Sequence, residues 1–148
     1  MNETRFPAMT QVTFHVNAPD KTAYACRLLR KAAGMGAKVM VTGRSEELGR
    51  LDVALWTFSA LEFLSHCRSD APAPMVAVSS VVLADAGQPV RGARVLLHLG
   101  GPSTEDVQTF DKVIEIVGQD PADRQEARQR WRLYAGQGHE MVHHEVTQ

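Results

Sequence analysis

Residues 11–42 read QVTFHVNAPDKTAYACRLLRKAAGMGAKVMVT, and this stretch decides the fold class. Its first six residues alternate Val12, Phe14 and Val16 with Gln11, Thr13 and His15, the period-two pattern of a strand with unlike faces. Pro19 and Asp20 then open a run with Tyr24, Ala25, Leu28, Leu29 and Ala32 at helical spacing. It stops at Gly34, where a C-terminal cap is expected. Residues 38–42 carry Val39, Met40 and Val41 without a break, as in a strand covered on both faces, and Gly43 closes them. A strand, a crossover helix and a second strand predict a parallel sheet.

The pattern continues downstream. Ser45 is placed to cap a second helix, with Glu46 and Glu47 in its first turn and Leu48, Leu51 and Leu55 on one side, ending near Trp56. Ser59 and Glu62 have the spacing of a capping box, with Phe58 and Phe63 set for a hydrophobic staple, so a short helix is expected over 60–64. Residues 75–79, 81–84 and 94–99 read as further strands, with a turn at 87–92 and a loop at 100–105. Val113, Ile114, Ile116 and Val117 mark a buried strand over 111–117. Asp120 and Pro121 start the last helix, since an acidic cap satisfies free amides and proline at the first position loses no hydrogen bond; it should reach about Ala135. The alternation predicts a three-layer helix-sheet-helix α/β sandwich with a largely parallel sheet. A single domain is expected over 9–148 after a poorly ordered extension, 1–8, with Met1 and Met9 as the two candidate starts.

Composition narrows the function. The 16 Lys plus Arg nearly balance 17 Asp plus Glu, a formal net charge of -1, so no global field holds a nucleic-acid backbone and any direct DNA contact must be local. Two cysteines, Cys26 and Cys67, without a CxxC pair, fit a reduced cytosolic protein. No stretch approaches the roughly 18 apolar residues of a membrane span, and residues 1–8 lack the apolar core of a secretory signal.

Catalytic signatures are missing. Gly34 and Gly36 follow a helix and precede a strand, the reverse of a dinucleotide fingerprint, and no GxxxxGK[ST] loop is present to cradle phosphates. Ser79, Ser80, Cys26 and Cys67 have no local pattern that supplies a base. His139, His143 and His144, with Glu140 and Glu145, lack a recognisable ligand spacing, and solvated or capping roles are the expectation. No cofactor and no metal are expected. The last helix is more informative. Arg124, Arg128 and Arg132 recur every four residues as a cationic stripe, and Trp131 adjoins it. Such a stripe suits a carboxylate-bearing peptide; the competing reading is a solvated face, with pairs such as Asp120 to Arg124 and Glu126 to Arg130. Trp56, Phe58, Leu61, Phe63 and Leu64 crowd one helix-to-helix corner, where they either fill the core or anchor a partner.

Three co-linear motifs carry a family resemblance. They are RLDVALWTF at 50–58 with FLSH at 63–66, FDKVIEIV at 110–117, and ARQRWRLY at 127–134 followed by Gly138 and the His143-His144 ending. In this order they resemble the chi subunit family of bacterial DNA polymerase III, whose members typically show LD-x-ALW-TF followed by F-L-P-H. Ser59-Ala60 and Ser65 depart from the Asp-Pro pair and the proline common there. The resemblance spans about 9–145.

It implies a Rossmann-like fold and a non-catalytic accessory role in the bacterial cytoplasm, at the replisome. It implies pairing with the psi subunit, through psi a tie to the clamp loader, and a grip on the acidic C-terminal tail of single-stranded DNA-binding protein. Val117, Arg124, Arg128, Trp131 and Tyr134 match the tail-binding surface; Trp56 and Phe63 match the surface for psi or a competing helicase. The tail ends in aspartates and a phenylalanine with a free carboxylate, which call for guanidinium donors and an apolar pocket. Arg128 is then the carboxylate clamp, Trp131 and Val117 wall the pocket, and Arg124 attracts the aspartates from farther away. Trp131, where some relatives carry tyrosine, keeps the wall and lacks the hydroxyl. DNA is met only indirectly. Two rival readings are a small α/β enzyme with its site at the carboxyl ends of the strands and a direct single-stranded DNA binder using Trp131 and the arginines, which the net charge disfavours.

Overall fold

The computed structural model describes residues 10–57, 64–84, 90–101 and 107–147. The chain runs β1 (Gln11–Val16), α1 (Lys21–Gly34), β2 (Val39–Thr42), α2 (Ser45–Thr57), β3 (His66–Arg68), α3 (Ala73–Val78), β4 (Val81–Leu83), β5 (Val95–His98), a single 3-10 turn (Val107–Thr109), β6 (Lys112–Ile116), α4 (Pro121–Gly136) and β7 (Glu140–Glu145). The seven strands form one sheet in the order β3-β4-β2-β5-β6-β1-β7, and every neighbouring pair is parallel. The expected α/β sandwich is therefore present, with a wholly parallel sheet.

Each face of the sheet has its own core. Ala25, Cys26 and Leu29 of α1 and Leu48, Leu51 and Leu55 of α2 cover one face, over Val39, Val41, Leu97 and Ile114. Ala127 and Tyr134 of α4 cover the other, over Val12, Phe14, Met40, Leu96 and Val113. The strands supply both layers because successive side chains leave the sheet on opposite faces. Gly43 closes β2 without a side chain because a Cβ there would lie 3.0 Å from that of Leu99.

Several expectations need correction. Residues 75–79 are not a strand: Ala73–Val78 is helical, with Pro74 in the first turn and the Ser79 hydroxyl donating to the Met75 carbonyl at 2.8 Å. A short apolar run does not distinguish strand from helix, and the prolines at 72 and 74 were the deciding signal. Ser45 is the first residue of α2 rather than its cap. Arg44 holds the cap position: its carbonyl accepts from the Leu48 N–H, and its own N–H donates to Glu47 Oε1 at 3.5 Å. Asp120 caps α4 by accepting from the Asp123 N–H rather than pairing with Arg124, and Glu126 and Arg130 bond elsewhere. β3, of three residues, and β7, of six, were not expected; both are edge strands with weak alternation. The expected extension at 1–8, the capping box at 58–62 and Phe63 lie outside the described residues.

Candidate functional site

α4 faces two ways. On its inner face Asp123, Ala127, Arg130 and Tyr134 are buried, as spacings of three and four dictate. Arg130 Nε donates to Glu115 Oε1 on β6 at 3.0 Å, Arg130 Nη1 to the Gly101 carbonyl at 3.1 Å, and the Tyr134 hydroxyl to Glu115 Oε2 at 3.3 Å. Complete burial pushes the Glu115 carboxyl up to about 7, against the pull of Arg130 and the Tyr134 hydroxyl. Beside it His98 Nδ1 lies 2.7 Å from the Thr42 hydroxyl, and burial near Arg130 brings the His98 imidazole down to about 3. This polar layer ties α4 to the sheet.

The outer face of α4 is open. Arg124, Arg128 and Arg132 are exposed, and none has an ion-pair partner among the described residues. They rim a groove of about 440 Å³ floored by Phe14, Val16, Val117 and Ala127 and walled by Trp131, with His143 and Glu145 of β7 opposite. Trp131 is half-buried, its ring edge-on to Phe14 at 5.1 Å and 6.5 Å from His143. The fold thus brings Val117, Arg124, Arg128 and Trp131 to one groove. Tyr134 lies beneath them, 1% exposed, tilted against Phe14 at 6.3 Å. An apolar floor with three guanidinium groups on its rim can take an apolar side chain next to carboxylates.

β7 was the element missed on this side, and with it His143 and Glu145. Its alternation sends His143 toward Trp131 and His144 toward His15, whose rings are 5.1 Å apart, so the two imidazoles leave the sheet on opposite faces. His15, bonded to the Tyr24 hydroxyl at 2.6 Å, is lowered to about 4 by burial and by His144 and Lys112. Among the described residues no three metal-ligating side chains gather.

On α2, Val53 and Trp56 are each 66% exposed. The Trp56 ring stands edge-on to His66 at 4.7 Å, and His66 Nε2 is 3.3 Å from Asp52. This surface lies across the sheet from the groove.

A third feature is a crevice of about 570 Å³ at the carboxyl ends of the strands, between the starts of α1 and α4. It arises where neighbouring strands β1 and β6 send their following helices to opposite faces. Two of its three cations are already engaged. Lys21 Nζ meets the Leu99 carbonyl at 2.6 Å, Glu47 at 2.6 Å and Asp123 at 3.1 Å, which uses its three donors, and Arg44 holds Glu126 at 2.7 Å. Cys26 and Cys67 are buried and unbridged.

The family model described as DNA polymerase III chi subunit, HolC, matches residues 9–142. The chain belongs to the DNA polymerase III chi family. It is 34% identical over 146 residues to the DNA polymerase III subunit chi of Pseudomonas aeruginosa, covering 93% of this chain and 98% of that protein. The fold is also similar to the C-terminal domain of the DEAD-box protein Dbp5, with a TM-score of 0.59 and 12% identity over 94% of this chain and 91% of the other, a likeness of architecture alone. Membership of the chi family makes this chain an accessory replication subunit associated with the polymerase III holoenzyme and its clamp loader. Replication sets its work in the cytoplasm, and no helix among the described residues is long and apolar enough to cross a membrane.

Proposed function

We propose that the chain is a non-catalytic adaptor that holds the acidic C-terminal tail of single-stranded DNA-binding protein in the α4 groove and pairs with the psi subunit through the α2 surface. The observation that carries the first half is the set of guanidinium groups of Arg124, Arg128 and Arg132, without ion-pair partners among the described residues, around an apolar floor. Arginine pairs a carboxylate through two parallel donors, and the floor takes the terminal phenylalanine that the tail carries. Arg128 is the clamp, Trp131 and Val117 line the pocket, Arg124 steers the aspartates, and Tyr134 supports from below the Phe14 ring against which Trp131 packs. The exposed Trp56 supports the psi assignment, because a large aromatic left in water is a common partner anchor; Phe63 is assigned with it by motif position. A competing helicase would use the same surface. Contact with DNA is then indirect, through the coated strand.

The test is binding of a labelled tail peptide to wild type and Arg128→Ala at low and moderate salt. Saturable binding that weakens with salt and is largely lost in the variant is expected. The crevice favours a second reading, a small-molecule site at the strand ends, but Lys21 there has no donor left for a ligand. Failure of folded wild type to bind the peptide turns the search to that crevice.

A further inference from the structure

The groove has a feature that side chains alone do not describe: one of its walls is, among the described residues, the open edge of the sheet. β7 ends the strand order, and among the described residues its neighbour is β1. The Glu140 N–H donates to the Thr10 carbonyl at 3.1 Å and the Val146 N–H to the Val16 carbonyl at 2.9 Å, which fixes the phase of the strand. Backbone groups alternate sides along a strand, so even-numbered residues of β7 point at β1, and Met141, His143 and Glu145 point their N–H and C=O groups away from the sheet. The side chains of these same odd residues are the ones on the groove's face: Met141 joins the core under α4, and His143 and Glu145 line the groove.

An extended peptide lying along β7 therefore meets backbone donors and acceptors that have no strand partner among the described residues on one side, with every second side chain directed into the groove. The groove's charge selects its sequence, because Arg124, Arg128 and Arg132 have no ion-pair partner among the described residues and outnumber the one carboxylate lining the groove, Glu145. We infer that an acidic peptide ending in an apolar residue with a free carboxylate binds by adding an eighth strand to the sheet at β7, pairing with the backbone of His143 while its terminal side chain enters the pocket beside Trp131. This rests on the peptide-binding reading above and specifies its mode: affinity comes partly from main-chain pairing, sequence preference from the groove. It also gives the free edge an occupant, where an uncovered strand edge is otherwise open to pairing with other chains.

The test modifies the ligand and leaves the protein intact. A synthetic acidic peptide ending in phenylalanine is prepared with single N-methyl groups at successive backbone positions, and each form is titrated against the wild-type chain. A strand pairs through alternate residues, so methylation at one parity is expected to weaken binding by about tenfold, through a lost hydrogen bond and a blocked approach, while the other parity stays within about twofold. Arg128→Ala is titrated with the unmodified peptide in parallel. If the unmodified peptide binds, is sensitive to Arg128, and no alternation appears in the methyl series, the added strand is overturned and the groove reading stands. If the unmodified peptide fails to bind, the groove reading itself falls.

Discussion

Arg130 and Glu115 form an ion pair across the α4 and β6 interface, at 3.0 Å, with side chains 3% and 0% exposed. Arg130 thus separates from Arg124, Arg128 and Arg132, although all four lie within nine residues of one helix. Its place on the inner face, in phase with Ala127 and Tyr134, turns the other three outward. A buried charge left without its partner is costly, so Arg130→Met is expected to destabilise the fold by about 3–5 kcal/mol, measured by urea unfolding. The double variant Arg130→Met/Glu115→Leu is expected to recover most of the loss, because an apolar pair of similar volume often matches a buried ion pair. A single variant as stable as wild type refutes this role.

Buried titratable groups on both faces of the sheet set an acid response. His98 is lowered to about 3 and His15 to about 4, so between 6.5 and those values the unfolded chain binds protons that the folded chain does not, and stability falls as pH falls. Glu115, raised to about 7, works the other way: its contribution is full below the ordinary carboxylate value and is lost as pH rises through 7. Removing that opposing proton in Glu115→Gln should steepen the acid loss between pH 4.5 and 6.5 by about 1.4 kcal/mol per pH unit. Urea unfolding at three pH values in that range gives the two slopes, and parallel slopes would show that Glu115 takes up no proton there.

Much of this was legible in the sequence, and the exceptions have physical causes. α1 and α4 announce themselves because each buries one clear face between start and stop signals, although α1 stops on Met35 and the left-handed Gly36 rather than on Gly34, which is its last helical residue; β1 and β2 do so by a period of two and by an unbroken apolar run buried on both faces. β7 does not, since its residues are largely exposed and its pairing with β1 is a tertiary choice that GHEMVHHE does not encode by alternation. α3 was concealed by a run of valine and methionine that suits either period. In the site, the four-residue spacing located Arg124, Arg128 and Arg132 correctly on one exposed face. The pairing of Arg130 had a readable signal, the lone carboxylate of Glu115 inside an apolar strand, which needs a buried cation from whichever helix covers it. His143 and Glu145 were beyond reach, because their presence in the groove depends on the unseen edge strand.

Trp56 and Leu51 make a controlled pair on α2. Leu51 is fully buried and Trp56 is 66% exposed. Leu51→Ala is expected to cost about 2–5 kcal/mol of stability through the cavity it leaves. Trp56→Ala removes a larger side chain yet empties no core; with the edge-on contact to His66 as its main loss, the stability change should stay within about 1 kcal/mol. The binding effects should run the other way. If Trp56 anchors psi, its removal costs at least about 2 kcal/mol of association, a loss of roughly thirtyfold in affinity. Urea unfolding and calorimetric titration with purified psi measure both quantities on the same proteins. A Trp56→Ala protein that is stable and binds psi as tightly as wild type would remove the α2 surface from the partner assignment and leave its exposed tryptophan without an explanation.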